Sequence, residues 1–219
     1  MAWIDDDVAY AKHPGSNWVY NKLTLAEKLD YVCGPAGVAV PETGEYIVRP
    51  IMNLAGMGVG ATIVECKKGK TPTTQPGYFW CEAFKGRHIT ADFVFRKGEM
   101  FCTFVAEGWN DRTNLVRFSK WKRLEKLPDE CFIPTVIESA CCPDHFNLEF
   151  VDGKIIECHL RHGNQNFPEK ATEIIPVWAD CDQAFHAIYS EAGYLFKDDD
   201  QDAWGNIDPS TKRIGFYYK

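Results

Sequence analysis

The sequence predicts an α+β protein, and three observations carry that expectation. Short β-prone runs separated by glycine, proline or charged turns fill much of residues 46–105. A further stretch, 146–161, interleaves apolar and polar side chains about an Asp152-Gly153 turn. Helical spacing of apolar residues is confined to 21–33, 133–141 and 179–192.

At 219 residues, with 45% apolar and 14% aromatic content, the chain suits one domain or two small ones. A formal charge of −7 argues against general nucleic-acid or anionic-membrane binding, with the basic stretch Arg112–Arg123 as a weak local exception. No run of roughly 18 apolar residues exists to span a membrane. Met1–Asp7 lacks the basic-then-apolar order of a secretory leader. Nine scattered cysteines without a C-x-x-C pair fit reduced thiols, and a cytoplasmic protein is expected. Cys141, Cys142 and His145 are poorly spaced for structural zinc and read as small buried residues near a helix end.

Taken in order, residues 1–20 are acidic, aromatic-rich and irregular in pattern. Leu23, Leu25, Ala26, Leu29, Val32 and Cys33 fall near helical spacing, so 21–33 reads as a helix closed by Gly34-Pro35. Tyr46–Pro50 reads as a strand. Glycines 56, 58 and 60 then alternate, which lets backbone N–H groups approach a phosphate, although a glycine-rich turn reads equally well. The spacing matches neither GxxxxGK[ST] nor GxGxxG. Strands are expected at Ala61–Cys66 and Tyr78–Phe84, and a hairpin joins His88–Phe95 to Met100–Val105. Residues 107–130 read as a solvated loop or helix face that supplies cations. A helix at 133–141 precedes the 146–161 hairpin, and His162–Asn166 is turn-rich. A helix at 179–192, capped by Asp180 or Asp182, an acidic loop at 198–202 and a strand at 214–218 complete the chain.

The register of the 146–161 hairpin follows from its side chains. A two-residue loop would pair Leu148 with Glu157 and Glu149 with Ile156, mixing polar and apolar groups on both faces. A three-residue loop that takes in Lys154 pairs Glu149 with Glu157, Asn147 with His159, Leu148 with Cys158 and Phe150 with Ile156. One face is then apolar, and the other carries Asn147, Glu149, Glu157, His159 and Arg161. Carboxylates directly opposite each other call for a cation between them, and an arginine two residues on suits phosphate. An amphipathic hairpin with a solvated polar face is the plainer alternative.

In this order the pieces resemble the ATP-grasp superfamily, over about Asn21 to Gly163. Lys22, before a helix, resembles the family's first ATP-contacting lysine. Tyr46–Pro50 resembles its second basic strand, with Arg49 in the lysine's place. Gly56, Gly58 and Gly60 resemble the mobile phosphate loop. Glu82, Ala83 and Phe84 resemble the hinge whose backbone holds adenine, with His88 where the family often has an acidic ribose contact. Glu149, Glu157 and His159 resemble the metal strands, and Arg161 completes the E-x-N-x-R pattern.

The resemblance implies two α+β subdomains whose antiparallel sheets clasp a nucleotide: an extension at 1–20, a small lid at 21–84 and a larger subdomain at 85–219. It implies an ADP-forming ligase that joins a small carboxylate to an amine or similar nucleophile, or to a peptide or protein terminus, using ATP and one or two Mg²⁺ ions. Lys22, Arg49 and Arg161 would hold phosphates, with Arg112 and Arg117 the acceptor. Three departures stand out: Arg49 for lysine, His159 for asparagine, and too few residues before Asn21 for the usual amino-terminal domain. The short form fits a phage-encoded member or one whose substrate a partner presents. The alternatives are kinase-like transfer on the same scaffold, or a non-catalytic nucleotide-binding or phage-associated protein in which His88 and His159 mark a decayed site. No G-x-S-x-G or HExxH motif offers other chemistry.

Overall fold

Two antiparallel sheets line opposite sides of a cleft in the structure, a computed structural model that describes residues 5–54, 58–140, 145–163, 167–168, 170–180, 194–197 and 213–219. The α+β class is as expected. The expected helix at 179–192 and acidic loop at 198–202 fall almost wholly outside the described residues, as do Cys141 and Cys142.

The chain opens with α1 (Asp6–Lys12), a 3-10 turn at Asn17–Tyr20, and α2 (Lys22–Lys28). The Asn21 side chain caps α2 by accepting from Thr24 N at 2.9 Å. The helix expected to reach Cys33 stops short, because Asp30 turns left-handed (φ 58) and the next residues join a sheet. There Cys33 pairs with Cys81, and Glu82 N donates to Val32 O.

That smaller sheet comprises β1 (Cys33–Pro35), β2 (Gly44–Pro50), β3 (Thr62–Cys66) and β4 (Tyr78–Glu82), in the order β1-β4-β2-β3. Strand alternation sorts β2. Tyr46 and Val48 pack with Val40, Cys66 and Trp80 on one face. Ile47 packs with Phe79, Cys81 and Ala26 on the other, and that parity carries Arg49 into the cleft.

The larger sheet comprises β5 (His88–Arg96), β6 (Glu99–Asp111), β7 (Asn114–Arg123), β8 (His145–Val151), β9 (Lys154–His159), β10 (Glu173–Trp178), β11 (Tyr194–Lys197) and β12 (Arg213–Tyr218). Its order is β11-β12-β10-β7-β6-β5-β8-β9. The stretch 107–130, expected as a loop or helix face, is largely strand. Irregular registers at Trp109/Asn110 and Asn110/Asp111 break the period-two pattern that would have marked it. Ile89, Ala91 and Phe93 of β5 form one apolar face with Phe146, Leu148 and Phe150 of β8. Ala9, Val19 and Tyr20 cover it, together with Ile137 of α3 (Thr135–Ala140). The irregular-looking amino-terminal stretch is thus part of the core.

The β8–β9 hairpin keeps the expected pairs Asn147–His159, Leu148–Cys158 and Glu149–Glu157 but reaches them differently. The turn has two central residues, Asp152 (φ 54) and Gly153 (φ 72), both left-handed as a type I′ turn requires. Val151 faces Lys154, Phe150 faces Ile155 rather than Ile156, and a bulge beside Glu149 restores the carboxylate pair. The three-residue loop is therefore corrected: the strand absorbs the extra residue, not the turn.

A Cβ on Gly153 would also lie 2.3 Å from Glu130 O. Gly153→Ala is expected to destabilise the protein by at least ~2 kcal/mol in urea unfolding. Gly69→Ala, at a similar φ of +74 but with nothing nearby, should cost less than half as much.

Candidate active site

The cleft has a volume of about 920 Å³ and is lined from both sheets. From the side of the smaller sheet come Lys22, at the start of α2, and Arg49, near the end of β2. From the larger sheet come Glu149 on β8 and Glu157 and His159 on β9. Lys22 Nζ lies 3.1 Å from Glu157 Oε1, and Arg49 Nη1 lies 3.5 Å from the same oxygen. Arg49 Nη2 donates to the carbonyl of Ile156 at 3.0 Å. That carbonyl belongs to the bulge, where the ladder leaves a residue unpaired. The irregularity that the sequence reading missed thus serves as a docking point for the smaller sheet.

Glu157 Oε2 accepts from His159 Nε2 at 3.3 Å, and His159 Nδ1 faces both oxygens of Asp6 at 3.1 Å. Burial alone would raise the Glu157 carboxyl, but Lys22, His159 and Arg49 together hold it well below the usual carboxylate range. Burial alone would lower the His159 imidazole, and Asp6, then Glu157, push it up to about 9. In this arrangement His159 is a cation that donates from both ring nitrogens. Glu149, Glu157 and His159 nonetheless each bring one ligand-type atom within 4.8 Å of the others.

Asp6 is the residue that sequence reasoning missed. It is 3% exposed and accepts from Tyr20 Oη (3.0 Å), His159 Nδ1 and Arg161 Nη2 (2.6 Å). Burial would raise its carboxyl, yet His159 and Arg161 hold it far below the usual range. Tyr20 Oη in turn accepts from Leu160 N at 3.0 Å, fixing the end of β9. Acidic residues crowd the amino terminus, and nothing in their pattern separates Asp6 from Asp5 or Asp7. Arg161 reaches the cleft wall, with Nη2 on Asp6 and Nη1 on His162 O (2.9 Å). Beyond it, buried Asp92 accepts from Asn147 Nδ2 (2.9 Å) and Gly163 N (2.7 Å), which ties this segment to β5.

Glu82, Ala83 and Phe84 also line the cleft, and Ala83 N donates to Glu45 O at 3.1 Å. His88 is placed against Glu149, with Nε2 3.1 Å from Oε2. Gly58 (φ +63) lines the cleft, and a Cβ there would lie 3.5 Å from Leu115 O on β7, so the loop reaches the opposite sheet. Gly60 (φ +80) is packed against Tyr78, and Gly56 lies outside the described residues. Arg112 pairs with Glu45 at 3.0 Å across the two sheets, whereas Arg117 pairs with Asp180 at 2.6 Å.

This architecture is similar to that of L-amino acid ligase from Bacillus licheniformis, with a TM-score of 0.57 at 9% identity over 96% of this chain and 67% of that one. N5-carboxyaminoimidazole synthetase from Staphylococcus aureus, complexed with ADP, gives 0.57 at 10% identity, covering 92% and 67%. Carboxyaminoimidazole ribonucleotide synthase from Aspergillus clavatus, complexed with ATP, gives 0.56 at 9% identity, covering 94% and 68%. The fold is the ATP-grasp fold. The chain spans about two thirds of the length of these ATP-grasp structures. No protein-family model and no curated protein matches the sequence. No helix among the described residues is long and apolar enough to cross a membrane.

The Asp6 cluster within the ATP-grasp cleft makes a stability prediction with a defined sign. Asp6→Asn should cost about 3 kcal/mol at neutral pH, since it leaves the buried His159 and the half-buried Arg161 without the Asp6 carboxylate. The folded carboxyl titrates below the unfolded one, so its contribution is complete above the ordinary carboxylate range and is lost as pH falls through the folded value. The gap between wild type and variant, read by urea unfolding, should narrow on acidification. The raised His159 imidazole acts oppositely: its stabilisation is complete below 6.5 and lost as pH rises through about 9.

Proposed function

We propose that the protein is an ATP-dependent, ADP-forming ligase that activates a small carboxylate as an acyl phosphate and passes it to an amine or similar nucleophile. What carries this reading is the meeting, in one cleft, of cations from the smaller sheet with paired carboxylates from the larger. Arg49 supports it further. Its Nε–H is buried with no hydrogen-bond partner among the described residues, a donor left over for an anion. The likeness to amino acid and carboxyaminoimidazole ligases supports the class of activity through the fold.

Lys22 and Arg49 would hold phosphate oxygens, and Gly58, with the loop around it, would cover them and keep water from the acyl phosphate. Glu82, Ala83 and Phe84 would offer backbone groups to adenine, although the Ala83 N–H is already spent on Glu45. Glu149 and Glu157 fit a magnesium ion, since both offer the hard oxygen such a cation prefers, and one oxygen of each, Oε2, is held by His88 and His159 respectively. The ion would neutralise phosphate charge as it develops. His159, protonated and shared between Asp6 and Glu157, serves in this reading as a positioning donor rather than a ligand.

The substrate carboxylate oxygen attacks the γ-phosphorus, the bond from that phosphorus to the β–γ bridging oxygen breaks, and ADP leaves with the electron pair. The nucleophile's nitrogen then attacks the acyl carbon, the C–O bond to phosphate breaks, and inorganic phosphate departs while the amine loses a proton. Such transfers are catalysed by positioning and charge neutralisation, and no side-chain nucleophile is required.

Glu149→Ala should reduce magnesium-dependent ADP release by at least ~100-fold while leaving the circular dichroism melting curve unchanged, since Glu149 is outside the buried ion cluster. The products should be ADP and phosphate; AMP would point to adenylation, and wild-type turnover by the variant would refute the role. One observation favours a non-catalytic protein instead, namely the commitment of Arg161 to Asp6. Calorimetry and turnover together decide that point: magnesium-dependent ATP binding with ADP release supports the ligase, and no binding, or binding without ADP release, supports the rival.

A further inference from the structure

The face that the larger sheet turns toward the cleft changes character along its width. On β9, β8 and the first residue of β5 it carries His159, Glu157, Glu149 and His88. On β6, β7, β10 and β12 the cleft is backed instead by the buried rings of Phe104, Trp178 and Phe216, with the half-buried Trp121 over them. His88 is the junction. One edge of its ring meets Glu149 at 3.1 Å, and the ring packs edge-on against Phe118 and Trp121, with centroids 5.0 and 5.5 Å away. Trp121 lies over Gly108, where a Cβ would come within 2.7 Å of the indole, so glycine leaves room for the ring. The Trp178 N–H is spent on Phe118 O at 3.1 Å, and the Arg117 guanidinium lies 5.7 Å from that buried ring. At about 920 Å³ the cleft is at the upper end of the roughly 300–1,000 Å³ that encloses one drug-sized ligand. It has space beyond the nucleotide.

We propose, resting on the ligase reading above, that this aromatic floor binds the carboxylic acid to be activated, and that the acid carries a bulky apolar or aromatic group. The reacting carboxylate must lie beside Glu149, where the terminal phosphate is neutralised. On the other side of the carboxylate pair, the His159, Arg161 and Asp6 cluster closes the sheet's end. The body of the acid therefore extends past His88 over Trp121 and Phe104. Arg213 also lines this wall, 4.3 Å from the Phe216 ring, and Arg123 lies 5.3 Å from the Phe104 ring, so an aromatic body gains by burial and by packing among rings and guanidinium groups. The surface selects against small polar acids.

The test uses magnesium, ATP and hydroxylamine as a generic nucleophile, with ADP release and hydroxamate as readouts. Phenylacetate, 4-phenylbutyrate and isovalerate are compared with acetate, glycine and succinate. The bulky acids should show kcat/KM at least ~10-fold above the small ones. Trp121→Leu, and separately Gly108→Ala, which tilts the indole into the cleft, should raise KM for phenylacetate by ~5-fold or more with KM for ATP unchanged. Phenylacetate binding by calorimetry, with a non-hydrolysable ATP analogue present, reads the subsite without turnover. Binding with turnover supports both proposals; binding without turnover supports the subsite and overturns the ligase reading. Preference for acetate or succinate, or a rise confined to KM for ATP, overturns the subsite and leaves the ligase standing. Neither binding nor turnover with any acid overturns the subsite.

Discussion

One buried carboxylate, that of Glu157, ties the two sheets together. A carboxylate taken out of water costs several kcal/mol unless cations and hydrogen bonds replace the solvent. Here Lys22 at the start of α2 and Arg49 on the smaller sheet provide them, with His159 from the larger. The cations are as constrained as the anion: Lys22 is 5% and Arg49 7% exposed, and neither can leave Glu157 without another anion to receive it. An incoming phosphate is such an anion. Under the proposed function, the contact that holds the cleft's walls together is also the one a nucleotide's phosphates would exchange.

Around that contact the structure adds a second layer. Asp6 reaches from α1 to His159 and Arg161, and Tyr20 pins the start of the same network to the end of β9. The amino-terminal stretch covers the back of the larger sheet with Ala9, Val19 and Tyr20 while delivering a carboxylate to its front edge. A single short segment thus contributes to packing and to the charge pattern of the cleft. The arrangement resembles a carboxylate–histidine relay that fixes the orientation of Glu157, the residue on which both walls converge.

Much of this was legible in residue order. The Asn147–His159 and Glu149–Glu157 pairs follow from keeping apolar side chains on one face, because a one-residue slip would turn every side chain over. Lys22 and Arg49 were legible as cations, but only the fold brings them to one oxygen from 135 and 108 residues away (157 − 22 and 157 − 49). The bulge at Ile156 was not legible, since a turn residue and a strand residue are interchangeable in the count. The helix past Lys28 was overextended because Val32 and Cys33 fit helical spacing while their backbone partners lie on β4, some fifty residues on. Asp6 was invisible for a different reason. A carboxylate beside two others reads as surface charge until a distant histidine and arginine close on it.

The clamp itself is tested most directly by a double-mutant cycle on Arg49→Met and Glu157→Gln, with unfolding free energies from urea titration. Each single change should cost about 3 kcal/mol, because it strands a buried charge. The double variant should cost less than the sum by more than ~1 kcal/mol, since removing both partners leaves less to strand. Costs that add to within about 0.5 kcal/mol would contradict the account, for the two residues would then not share one buried interaction.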